Sequence, residues 1–218
     1  MKDIKKSEKA SIIFMQLAMA FAVCLISANI FETKEIVVGP LTLTGGLIIF
    51  PLTYVICRVV CEVWGFRHSC LLICTGFILN YLFLAVADLV DIIPGVIGAD
   101  AINEGFHAIF GLAPRIALAS GIAFLVGSFV SAFTMTYKRK TDGNKLVGRL
   151  ALSSVLAEAA DSIVYFPIAF IGLLSMQDMF SQLVYQFVLK TVYEIILIPV
   201  VAPAIRKLKE LEGGIVRE

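Results

Sequence analysis

Six stretches of this chain, at about 10–31, 41–63, 69–90, 114–137, 150–174 and 179–205, stay apolar over roughly 20 residues or more, the length at which a helix crosses the hydrocarbon core of a bilayer. Lipid offers no partner to backbone N–H and C=O groups, so each stretch must satisfy its own as a helix. The expected fold is therefore an all-α integral membrane protein with six transmembrane helices, a single transmembrane domain over residues 1–218. Composition agrees, since 59% of the residues are hydrophobic and 16% charged, against about 45–50% and 25% in soluble domains. The same figures exclude a disordered chain and a disulfide-rich secreted fold. Lys+Arg 18 nearly cancels Asp+Glu 17, which leaves no basic surface for nucleic acid. Six spans fill the length, so no separate catalytic or nucleotide-binding domain is expected. The chain opens with Lys2, Asp3, Lys5, Lys6, Glu8 and Lys9 before an apolar run long enough to span and without a clear cleavage site, so no signal peptide is expected.

Fourteen of the 18 Lys and Arg residues fall on one side of this scheme: four in the N-terminal tail, Arg67, five between Lys138 and Arg149, and four from Arg206 onward. Lys34 and Arg115 are alone on the other. The positive-inside rule then places both termini in the cytoplasm of a cell with a plasma or bacterial inner membrane. Three spans per half is an odd number, so repeats would have to be inverted, matching the second span to the fifth.

The connection from 91 to 113 carries Gly and Pro punctuation and then DAINEGFHAIFG, which reads as a short amphipathic connector helix with an exposed His107. Cys57 and Cys61, like Cys70 and Cys74, are four apart, but all lie in apolar stretches, so no metal and no cofactor is expected.

Ionisable residues inside the spans are the informative ones, because each costs about 2.5–3.5 kcal/mol at a helix centre unless it faces protein, water or a partner. The second span carries Arg58 and Glu62, the fifth Glu158 and Asp161, and the sixth Lys190 and Glu194, each pair on one helical face. Arg58 could pair with Glu62 and Lys190 with Glu194 within their own helices. Glu158 and Asp161 have no cation in theirs. Either they meet Arg58 and Lys190 across the bundle, or they bind something that brings its own donors. Asn29 and Asn80 add amides that both donate and accept. Tyr54, one turn before Arg58, and Tyr165, Phe166 and Phe170 offer faces on which a flat ring could stack. Ala18, Ala22, Gly121, Gly127 and Ser131 read as close helix packing. Pro51, Pro167 and Pro199 fall inside spans and mark expected irregularities.

The stretches FPLTYVICRVVCEVWGFR (Phe50 to Arg67), NEGFHAIFGLAPRIALAS (Asn103 to Ser120) and SSVLAEAADSIVYFPIAFIG (Ser153 to Gly172) resemble the queuosine precursor transporter family, also called the vitamin uptake transporter family, over roughly residues 25–205. The resemblance implies a six-helix inner-membrane importer of 7-deazaguanine bases for tRNA modification, with roles for Glu62, Arg115, Ser120, Ser154 and Asp161. The family pattern places an acidic residue where this chain has Arg58 and a glutamine where it has Glu158. That exchange of charge leaves open a neutral cyano base, a cationic aminomethyl base or queuine as the precursor.

A deazaguanine presents a ring N–H beside an exocyclic amine, a donor pair that one carboxylate can accept. Glu158, Asp161 or Glu62 could take that edge, and Asn80, Lys190 or Arg58 could donate to the ring carbonyl, with the base lying between the second, third, fifth and sixth spans. The expected substrate-binding set is thus Asn29, Tyr54, Arg58, Glu62, Asn80, Arg115, Glu158, Asp161, Phe170 and Lys190. The expected partners are a 7-deazapurine base, the lipid bilayer and a second copy of the chain. A substrate-binding subunit of an ATP-driven vitamin importer is the alternative, allowed by Ala18 and Ala22. Nothing in the sequence matches a hydrolytic motif, so no enzyme is expected.

Overall fold

The computed structural model describes residues 2–38, 41–96, 98–110, 114–142, 145–172 and 175–211. Helix α1 runs Lys2–Glu32, strands β1 (Glu35–Val38) and β2 (Leu41–Thr44) form an antiparallel ribbon, and a 3-10 turn at Gly45–Ile48 leads into α2 (Phe50–Trp64). Then come α3 (Phe66–Ile92), the short α4 (Asp100–Phe110), α5 (Pro114–Asp142), α6 (Leu146–Phe170) and α7 (Met176–Leu211). Six of these segments are long and apolar enough to cross a membrane.

The boundaries move in ways that matter. The second span begins at Gly45 rather than 41, because Glu35–Val38, with three β-branched residues in a row, and Leu41–Thr44, which alternates leucine with threonine, pair as strands, Glu35 opposite Thr44. Pro51 lies in the first turn of α2, where a missing N–H costs nothing, so it does not interrupt the helix as expected. Pro167, Pro199 and Pro203 are inside their helices. The fifth span starts four residues early, which draws Arg149 out of the basic loop and into α6. A single residue joins α2 to α3: Gly65 has φ 91° and ψ 173°, a conformation that a side chain strongly disfavours.

The bundle is apolar outside, and its interior combines apolar packing with a set of buried polar and charged side chains. Met19 and Val23 on α1, Leu71, Ile78 and Leu82 on α3, and Ile196 and Val200 on α7 are exposed, as lipid-facing side chains must be. Phe21, Phe50, Phe124 and Ile73 pack α1, α2, α3 and α5 together. Val63, Met135, Leu150, Ile198 and Ile205 pack α2, α5, α6 and α7 toward the basic end, and Ala119, Ala123, Tyr165 and Phe166 pack α5 on α6 at the other. Ala18 and Ala22 line an apolar groove of about 310 Å³ between α1 and α3, which includes none of the buried charges. The connector expected at 100–111 is α4, lying on α3 through Phe110 against Phe83 and through His107 Nδ1 at 2.6 Å from Asp91.

Candidate functional site

Tyr54, Arg58 and Glu62 recur every four residues along α2 and are all buried, so they form one ridge facing the interior. Arg149, Ser153 and Asp161 lie on the equivalent face of α6, and Lys190 and Glu194 on α7. These three ridges meet in a column of ionic and polar groups.

At its middle, Arg58 Nη2 lies 2.7 Å from Glu194 Oε2, and its Nε donates to the hydroxyls of Ser131 and Ser153 at 3.1 Å each. Those hydroxyls bond each other at 2.8 Å. Lys190 Nζ donates to Asp161 Oδ2 at 3.2 Å, and Tyr54 Oη donates to Asp161 Oδ1 at 3.1 Å. Both cations also face rings: Lys190 Nζ is 4.4 Å from the Phe50 centroid and the Arg58 guanidinium carbon 5.7 Å from that of Tyr54, within the range of cation–π attraction. Glu158 is 0% exposed, and neither of its carboxylate oxygens has a hydrogen-bond partner. Arg58, Lys190, Asp161 and Glu194 surround it electrostatically.

Toward the basic end, Arg149 Nη2 donates to Glu62 Oε1 at 2.7 Å, and Lys209 of α7 reaches the same oxygen. Toward the other end, Asn29 Nδ2 donates to Asn80 Oδ1 at 2.8 Å, and Ser120 Oγ donates to Asn29 Oδ1 at 3.1 Å, tying α1, α3 and α5 together. Glu32, at the end of α1, is electrostatically coupled to Lys190 and Asp161.

The pairing within single helices allowed by the i, i+4 spacings is not what forms. Arg58 pairs with α7 rather than with Glu62, and Lys190 with α6 rather than with Glu194. The charged ridges of α2, α6 and α7 face one another, so each desolvated charge meets its counter-charge on the facing helix. Of the expected set, Tyr54, Arg58, Glu158, Asp161 and Lys190 come together, with Glu62 at one end and Asn29 and Asn80 at the other. Phe170 is one step removed, packing on Tyr165 and Phe166 at 5.8 and 5.7 Å. Arg115 is the second residue of α5, and its side chain lies outside the described residues.

Sequence reasoning left Arg149, Glu194, Lys209, Glu32 and Ser153 out of the set, and read Ser131 as packing. Arg149 was legible as the start of the 149, 153, 157, 161 ridge once α6 is extended by one turn. Gly127 does serve close packing, and for a specific partner: a Cβ there would collide with the Tyr54 hydroxyl and stand 3.0 Å from the Ala157 carbonyl oxygen. Gly127→Ala is therefore expected to mimic Tyr54→Phe, since each detaches the phenol from Asp161. A charge-assisted hydrogen bond of this kind contributes about 1.5–3 kcal/mol, so both variants should lower Tm in detergent by similar amounts, and combining them should add little.

Among the described residues no group of three or more His, Cys, Asp or Glu side chains could hold a metal ion. No curated protein and no solved structure matches the chain. The family model described as "Putative vitamin uptake transporter" matches residues 44–204, which takes in every charge of the column's middle together with Glu62 and Arg149. A polar interior wrapped in lipid-facing helices is what such a carrier requires, and this chain, a multi-pass membrane protein, belongs to that family.

Proposed function

We propose that the protein imports a queuosine precursor, a flat 7-deazaguanine-type base, into the cytoplasm for tRNA modification. The observation that carries the reading is Glu158, a fully buried carboxylate with both oxygens lacking a donor from the chain. An unpaired acceptor in such a place is costly, and the ring N–H and exocyclic amine of a guanine-like edge supply two donors side by side. Asp161 is the weaker candidate for that edge because Tyr54 and Lys190 already occupy its two oxygens. The rings of Tyr54 and Phe50 stand next to the same charges as apolar walls.

In this reading the base sits against α2, α6 and α7, which are the second, fifth and sixth spans, with Ser131 of the fourth span, α5, beside it and the third span, α3, contributing Asn80 at one end. Access alternates, in this reading, as two inverted three-helix halves, α1–α3 and α5–α7, rock about the column with both termini cytoplasmic. The Glu62, Arg149 and Lys209 cluster closes its cytoplasmic end.

The test is restoration of queuosine in tRNA in a bacterium that can neither make nor import the base, expressing this chain alone and fed each precursor separately. Modification with one precursor supports the reading and fixes specificity. Absence of modification with all of them, despite membrane expression, rejects it.

A further inference from the structure

Among the described residues the middle of the column holds three carboxylates, Asp161, Glu158 and Glu194, against two cations, Arg58 and Lys190. One negative charge is left over. Asp161 is satisfied by Lys190 and Tyr54, and Glu194 faces Arg58, so the surplus falls on Glu158. An uncompensated charge at this depth costs several kcal/mol.

A second observation is independent of that balance. Buried oxygens without hydrogen-bond partners gather on two facing helices: Ser154 Oγ and both Glu158 oxygens on α6, and Thr191 Oγ1 and Glu194 Oε1 on α7. Ser154 and Glu158 are four residues apart, and Thr191 and Glu194 three, so each set shares one helical face. The Glu158 and Glu194 carboxylates stand within range of each other's charge, and α6 packs along α7. All these atoms are hard oxygen donors, the ligand type of hard cations.

We propose that a monovalent cation, a proton or a sodium ion, is held between α6 and α7 by Glu158 and Glu194 with the Ser154 and Thr191 hydroxyls in the substrate-free protein. This step rests on the column being the transport site. The groups facing Glu158 are Arg58 and Tyr54 from α2, Lys190 and Glu194 from α7, and Asp161 on its own helix.

The cation can be sought without any base. The purified full-length protein is reconstituted, and its infrared spectrum is recorded near neutral pH in water and in D2O. Its Tm is measured in sodium chloride and in choline chloride at equal ionic strength. A proton shows as the carbonyl stretch of a protonated carboxylic acid that shifts in D2O, and sodium as a rise in Tm of about 2 °C or more. Glu158→Gln, isosteric and neutral, should lose whichever signal the wild type gives. The proposal is overturned if the wild type gives neither, a result that needs no variant to fold, or if the signal survives in both Glu158→Gln and Glu194→Gln. A cation signal without base uptake would reject the substrate alone, whereas uptake without a cation signal would reject only the cation.

Discussion

Arg58→Met is expected to destabilise the protein by about 3–5 kcal/mol, the range found when one partner of a buried ion pair is removed. Arg58 is 2% exposed, so solvent does not soften the loss. Its removal leaves Glu194, Glu158 and Asp161 facing a single cation, Lys190, and strips Ser131 and Ser153 of their shared donor. The second half of the test is the double variant Arg58→Met, Glu194→Leu, which removes one charge of each sign and restores the original imbalance. Well-packed apolar replacements of whole ion pairs are often neutral, so the double variant should recover most of the stability, a coupling read from a thermal-unfolding cycle in mild detergent. Equal stability of Arg58→Met and the wild type would show that the pair does not hold α2 to α7.

The next largest effect concerns transport. Glu158→Ala together with Asp161→Ala is expected to weaken uptake of the favoured precursor about 100-fold, because two charge-assisted contacts of about 1.5 kcal/mol each are withdrawn. Glu158→Ala alone should also weaken competition by guanine analogues, which share the donor pair. Asp161→Ala alone should act more on stability, since it frees Lys190 and Tyr54 in a dry site. Initial uptake rates against precursor concentration separate the two. Unchanged uptake and competition in the double variant would remove the base from Glu158 and Asp161.

How far the sequence discloses this arrangement depends on the kind of information. The spans were legible because apolar length is a property of contiguous residues. The charged residues were legible too, since an ionisable group in lipid needs a reason. Their partners were not: periodicity says that Arg58 and Glu62 share a face of α2, but not which helix that face meets, and so the crossed pairs to Glu194 and Arg149 needed three dimensions. Arg149 was obscured by a helix boundary, because one turn decides whether an arginine belongs to a basic loop or to the interior. The β1–β2 ribbon was hidden by the opposite cause. Its LTLT segment is apolar enough to read as the beginning of a span, and only its two-residue alternation distinguishes it.

The one-residue joint at Gly65 bears on how the chain enters the bilayer. α2, burdened with Arg58 and Glu62, is a poor candidate for partitioning from the translocation channel into lipid unaided, each charge costing about 2.5–3.5 kcal/mol near a helix centre. α3, whose most apolar 18-residue stretch has a mean hydropathy of 2.2 against 1.9 for the span that contains α2, has no charged residue at its centre. Joined through a single glycine, the two are expected to leave the channel as one hairpin, in which α3 accompanies the more charged helix until α6 and α7 are made and supply its counter-ions.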